Sequence, residues 1–151
     1  MNTLLKKALW VGLAIVWMSA TAHAEWKTDF AAAQAEAKKE NRLLVLNFTG
    51  SDWCPPCIQM KREVLDKKEF KDFAAKNLVL VEVDFPRRKA ISAAQRRANE
   101  ALQKKFSIEG YPTFIVLGPD GKELSRDLGY VPGGLKGFLT KLEGLKKKNA
   151  S

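Results

Sequence analysis

The sequence predicts an α/β fold, a four- to five-stranded mixed sheet with helices on both faces. Three observations carry this. The runs Leu43-Leu44-Val45-Leu46-Asn47-Phe48 and Leu78-Val79-Leu80-Val81-Glu82-Val83-Asp84 are nearly continuous in apolar residues, as strands covered on both sides are. Helical periodicity precedes, separates and follows them. Thr113 to Leu117 forms a third strand, and Gly118-Pro119-Asp120-Gly121 turns the chain into a partner strand from Lys122 to Asp127.

Each element has a local cause. Asp29 suits the cap of a helix reaching about Glu40, with Phe30, Ala33 and Ala37 on one face. Leu43 to Thr49 is a buried strand. A helix after Cys54 places Met60 and Val64 together, with Lys61 and Arg62 turned away. Lys68 to Lys76 reads as a short helix burying Phe70 and Phe73. Ile91 to Lys105 is helical, and Ile91, Ala94, Ala98, Ala101 and Leu102 form its apolar stripe. Gly133-Gly134 opens a last helix with Leu135, Phe138, Leu139 and Leu142 inward, before Lys146-Lys147-Lys148 and a small polar tail. No internal repeat and no second domain is visible.

Residues 1–24 have the pattern of an export signal. Lys6 and Lys7 precede an apolar run from Ala8 to Met18, and Ala22-His23-Ala24 offers a small-x-small cleavage site. The run is short for a bilayer span, which needs roughly 20 residues; an uncleaved anchor is the alternative. Cleavage after Ala24 would place residues 25–151 in the periplasm or outside the cell. Of the 151 residues, 127 would remain, enough for one domain with a core, and the formal charge would fall from +9 to +7. The single histidine, His23, would leave with the signal. Without it the domain has no histidine triad, no histidine zinc pair and no histidine haem ligand. No cofactor and no metal is expected.

The two cysteines stand in Ser51-Asp52-Trp53-Cys54-Pro55-Pro56-Cys57, directly after the first buried strand. Zinc takes about four ligands, and no second cysteine pair exists. A structural bridge over two intervening residues closes too short a loop to stabilise much. Redox chemistry remains. Pro56 suits the first turn of a helix, and Cys54 would then lie at that helix's positive end, where a thiolate is stabilised.

Trp53-Cys54-Pro55-Pro56-Cys57 after an apolar strand resembles the active site of the thioredoxin superfamily. Gly110-Tyr111-Pro112-Thr113, about 55 residues on and leading into a strand, resembles its cis-proline loop. Phe48-Thr49-Gly50-Ser51-Asp52-Trp53-Cys54 is similar to exported bacterial thioredoxin-like proteins, related to the C-terminal domain of the thiol:disulfide interchange transporter. The likeness covers nearly all of the chain after residue 25. It implies a thioredoxin fold and an exported protein-disulfide reductase. Its partners would be protein disulfides and a membrane or exported thiol donor, and the protein would be monomeric. A disulfide oxidase or isomerase of the same fold, or a non-catalytic binding module, is the alternative. A copper-delivery relative is disfavoured because it would use a distal histidine.

The resemblance also implies roles. Cys54, exposed at the helix start, would attack the substrate, and Cys57, shielded one turn inside, would resolve the mixed disulfide. Trp53 would be an apolar platform for a substrate chain or ordinary packing. Pro112 would be cis, so that Tyr111 presents its backbone to an extended substrate. Two departures stand out. Asn47 lies where thioredoxins carry a buried aspartate. Glu82, on the neighbouring strand, is the candidate proton acceptor in its place, unless it is exposed or paired with a lysine. Pro55 replaces a common glycine, so Pro55 and Pro56 offer no N–H to the Cys54 thiolate, which favours a reducing couple.

Pro86-Arg87-Arg88-Lys89, with Arg96 and Arg97, is the remaining cluster of charge. No aromatic residue lies between Pro86 and Ala101, and no nucleic-acid partner is expected. The cluster reads as a solvated helix face; docking of an acidic partner or an anionic membrane is the alternative.

Overall fold

The computed structural model describes residues 23–150. The expected signal lies outside them except for His23 and Ala24. One sheet of five strands has the order β1-β3-β2-β4-β5, with β1 Trp26–Lys27, β2 Leu43–Thr49, β3 Leu78–Asp84, β4 Thr113–Leu117 and β5 Glu123–Leu128. β1 and β2 run parallel to β3, whereas β4 is antiparallel to β2 and to β5. The helices are α1 Phe30–Glu40, α2 Pro55–Met60, α3 Lys68–Asn77, α4 Ala93–Lys105 and α5 Gly134–Asn149. The expected mixed sheet is present at its upper strand count. β1 is too short to show a period in sequence.

Local chemistry sets the boundaries. Asp29 Oδ1 accepts the Ala32 N–H at 3.0 Å, and Asn41, at φ 52°, ends α1 by donating to the carbonyls of Ala37 and Lys38. Gly121, at φ 82°, supplies the left-handed residue of the β4–β5 turn. α2 runs on into a single π-helical turn, Lys61–Leu65, where the Asp66 N–H reaches the Lys61 carbonyl at 2.8 Å. The wider turn lets Met60, Val64 and Leu65 all face the core.

Strand alternation divides the core in two. Leu43, Val45, Leu78, Leu80, Phe114 and Val116 face α2, α3 and α5, where Phe138 stacks on Phe70 and meets Phe114 edge-on. Phe73 is only partly covered there. Leu44, Leu46, Phe48, Val81, Ile115 and their neighbours face α1 and α4 on the other side. The first face changes character along the strands. Val45 is followed by Asn47 and Thr49, Leu80 by Glu82 and Asp84, and the register pairs Asn47 with Glu82 and Thr49 with Asp84. A polar end of the sheet therefore lies where β2 and β3 both stop.

The alanine stripe expected on α4 is not its inward face. Ala94, Ala98 and Ala101 are exposed, and Ile91 precedes the helix, which Ser92 caps. Gln95, Asn99, Leu102, Gln103 and Phe106 turn inward instead. The reason is hydrogen bonding. Asn99 Nδ2 donates to the Asp84 carbonyl at 2.8 Å, and Gln95 Nε2 donates to Asn99 Oδ1 at 2.8 Å and to the Thr28 carbonyl at 3.2 Å. A buried carbonyl at the end of β3 needs a donor that alanine cannot supply. Asn99→Ala should therefore destabilise the protein by ~1–3 kcal/mol, whereas Ala98→Ser should stay within about 0.5 kcal/mol. Urea denaturation of both variants measures the difference, and equal costs would return the alanines to the core.

Candidate active site

The chain leaves β2 at Thr49 and turns at once. The N–H groups of Trp53 and Cys54 both donate to the Gly50 carbonyl, at 3.2 and 2.9 Å, which brings Cys54 to the cap of α2. Gly50 is required here by contact, because a Cβ at this position would lie 2.4 Å from Trp53 Cε2. Pro55 and Pro56 fill the first helical positions, where no intrahelical N–H bond is lost. Cys54 and Cys57 form a disulfide with Cα atoms 5.2 Å apart.

The expected contrast between an exposed Cys54 and a shielded Cys57 is absent from this oxidised form: they are 3% and 4% exposed. Each sulfur covers the other in the closed bridge, and the bond to Gly50 draws Cys54 inward. Placement separates them instead. Cys54 caps the helix, whereas Cys57 lines a partly open cavity beneath it.

The Tyr111–Pro112 peptide bond is cis, and Pro112 is buried at the start of β4. Tyr111 stacks on Phe85 at 5.3 Å and meets the Trp53 ring edge-on at 6.1 Å. Gln103 Nε2 donates to its hydroxyl, and burial pushes the phenol pKa up. The two motifs, distant in sequence, thus meet through Trp53 and Tyr111.

Two carboxylates lock the cysteine turn to the loop after β3. Asp84, at the end of β3, accepts the Ser51 N–H at 3.0 Å and the Ser51 hydroxyl at 2.6 Å. Asp52, in the cysteine turn, accepts the N–H groups of Arg87, Arg88 and Lys89 at 2.9, 2.8 and 2.9 Å. The backbone donors, Arg87 N–H foremost, hold the Asp52 pKa down at about 2. Lys89 Nζ pairs with Asp84 at 2.9 Å. Residues 87–89 are bends in a loop fixed beside the cysteines, so the solvated helix face expected for the cluster is corrected for them and holds for Arg96 and Arg97, exposed on α4. Trp53 is tied into the same loop. Its Nε1 donates to the Phe85 carbonyl at 2.8 Å, and the Arg87 guanidinium lies 3.7 Å over its ring. One face of the expected apolar platform is cationic.

Beneath α2, Cys57, Asn47, Thr49, Ser51, Lys61 and Glu82 help line a cavity of about 170 Å³, room for several waters. Asn47 is buried, and its Oδ1 has no hydrogen-bond partner among the described residues. Glu82 is half-buried. Its pKa is pushed up first by burial and then by Asp84, while Lys89 and Lys61 act the other way. Lys61 itself is held by Asp66 at 2.7 Å. Among the described residues no group of three or more His, Cys, Asp or Glu side chains is placed to hold a metal ion.

A family model described as a thioredoxin-like domain matches residues 30–142. The chain belongs to the thioredoxin-like family. It is 36% identical over 128 residues to a disulfide bond reductase, DsbH, of Chlamydia pneumoniae, which is 85% of this chain and 76% of that protein. A solved structure titled DsbH oxidoreductase superposes with a TM-score of 0.75 at 32% identity, covering 97% of this chain and 95% of the other. The C-terminal domain of Neisseria meningitidis DsbD, in its oxidised form, shares the fold at a TM-score of 0.56 and 24% identity, over 76% of this chain and 90% of that domain. The chain carries the Cys-x-x-Cys pair of the thiol–disulfide oxidoreductases in this family.

Ser51, Asp52 and Asp84 were given no role from sequence, and Arg87 was read only as part of a basic cluster, not as a neighbour of Trp53. The available signal was a carboxylate ending a buried strand, Asp84, and another one residue before Trp53. The depressed pKa of Asp52 gives a pH test. Its contribution to stability is full above the ordinary value of 3.8 and is lost as pH falls through about 2. Wild type minus Asp52→Asn, followed as the difference in melting temperature, should stay constant down to pH 4 and shrink toward pH 2. A constant difference throughout would remove the charge of Asp52 from the clasp.

Proposed function

We propose that the chain is an exported protein-disulfide reductase, carried by one observation: the Cys54–Cys57 disulfide capping α2 beside the Tyr111–Pro112 loop. In the reduced protein the Cys54 thiolate attacks one sulfur of a substrate disulfide, and the substrate's other sulfur leaves as a thiolate. Cys57 then loses its proton and attacks the Cys54 sulfur. The Cys54–Cys57 bond forms, the second substrate thiol leaves, and two electrons have passed to the substrate. Tyr111 offers backbone groups to the bound chain, and Pro112 keeps that edge free of a competing N–H. A membrane or exported thiol donor re-reduces the pair.

Two observations favour the reducing direction. Pro55 and Pro56 give no N–H to the Cys54 thiolate, so the reduced form gains less stabilisation. The Chlamydia relative is also named a reductase. A periplasmic or secreted location follows from cleavage after Ala24. The test is the equilibrium of the pair with glutathione, together with reduction of insulin by the monomer. A potential below about −200 mV with turnover is expected; a value near the ~ −120 mV of a strong oxidant would reverse the direction. Insulin left unreduced would favour a binding module.

Glu82 is the proposed proton acceptor for Cys57, through water in the cavity that both line. Its raised pKa suits a base nearer neutrality than an ordinary carboxylate. Glu82→Gln should slow resolution of the mixed disulfide toward the low end of ~10²–10⁴-fold, because water intervenes, and change the first attack much less. Stopped-flow kinetics between about pH 6 and 9 separates the two steps. Stability supplies a control with opposite sign. An acid whose folded pKa is raised favours the fold when protonated and penalises it when charged. Glu82→Gln should therefore raise the melting temperature at pH 7, with the gain fading below the ordinary value of 4.5. An unchanged resolution rate would leave solvent as the carrier.

A further inference from the structure

We propose that Arg87 and Arg88 form a cationic lip that selects polypeptide substrates carrying an acidic residue beside the reactive cysteine; this rests on exchange at Cys54. The loop is fixed in place by the three backbone N–H groups that Asp52 accepts. Its cations differ in their commitments. Lys89 is neutralised by Asp84. Both arginines are exposed, and neither guanidinium makes an ion pair or hydrogen bond among the described residues. The nearby acids are already engaged: Asp52 by backbone donors, with Arg88 in its field, and Asp84 by Ser51 and Lys89.

Arg87 is prepared for a carboxylate. Its guanidinium lies 3.7 Å over the Trp53 ring, one residue before Cys54. A guanidinium over an aromatic face keeps N–H donors that the ring does not use, so it can still bond a carboxylate. The stack also restricts a long side chain beforehand, which lowers the entropy lost on binding. An extended chain advances ~3.3 Å per residue, so a substrate cysteine at Cys54 places its immediate neighbours within reach of Trp53 and its rider. An anionic membrane is the poorer fit. Lipid-binding clusters use about four to eight cations, and this lip has two uncommitted ones, one of them over an indole.

The test uses the full chain, reduced, with three disulfide-linked peptides that differ only in having Asp, Ser or Lys on both sides of the cysteine. kcat/KM should rise about three- to tenfold from Ser to Asp and fall by a similar factor to Lys. The preference should shrink in about 0.5 M salt, where the Debye length is only a few ångströms. In the Arg87→Gln, Arg88→Gln double variant, the Asp-to-Ser ratio should drop to within about twofold of one. A wild-type ratio near one, or the same ratio in the variant, would overturn the proposal. A second readout needs no exchange chemistry: anisotropy of rhodamine-labelled peptides in which Ser replaces Cys. Arginine-dependent binding of the Asp peptide without reduction of any peptide would uphold the lip and sink the exchange reading instead. Equal binding of all three peptides, or arginine-dependent binding only to phosphatidylglycerol vesicles, would overturn the lip.

Discussion

The reciprocal clasp between the ends of β2 and β3 is the constraint on which the site depends. The strands are parallel and in register to their last residues, Thr49 beside Asp84, so two turns leave the sheet at the same point. Both turns carry N–H groups with no ladder partner. Each turn receives an acceptor from the other: Asp84 takes the Ser51 N–H, and Asp52 takes those of residues 87–89. A carboxylate accepting several backbone donors makes stronger bonds than a neutral acceptor, and it also satisfies groups that would otherwise compete for water. The cysteine turn and the loop after β3 are joined by this pair of links.

The clasp explains how residues far apart in sequence share one surface. Asp52 fixes the loop that places Arg87 over Trp53, and the Phe85 carbonyl receives the Trp53 Nε1 proton. Phe85 in turn stacks on Tyr111, the residue before the cis proline. α4 supports the same corner from behind, with Asn99 on the Asp84 carbonyl and Gln103 on the Tyr111 hydroxyl. Weakening the link between Asp52 and the loop would therefore shift the indole and the proline loop together.

Much of the fold was legible because the strong signals are local. β2, β3 and β4 announce themselves as apolar runs, α1 by its Asp29 cap, and the dithiol turn by its residues. The clasp was not legible, since it depends on the register of two strands and on bonds between residues 33 to 37 apart. The α4 face was misread for a related reason. Alanine is a weak apolar signal, and the requirement that turned Gln95 and Asn99 inward was a carbonyl on another element. The coverage of Cys54 belongs to the closed disulfide, a state that residue types do not declare.

Charge around the pair is divided between two places. Beside Trp53 lies the Arg87 guanidinium, on a loop that Asp52 fixes through backbone bonds. Glu82 lines the same cavity as Cys57 and Asn47, whose carbonyl oxygen has no partner among the described residues. An amide at position 47 adds no second buried charge beside Glu82. Two neighbouring carboxylates would raise one another's pKa and carry a larger desolvation cost. With Asn47 on β2, Glu82 is the one carboxylate of the paired positions 47 and 82, while Asp84 is committed to Ser51 and Lys89 and Lys61 at the cavity wall is held by Asp66. In the proposed exchange, attraction of an anionic chain and removal of a proton are then assigned to different groups, Arg87 at Trp53 and Glu82 at the cavity. A substrate carboxylate at the lip need not displace the internal acid, and the internal acid need not repel the substrate at contact range.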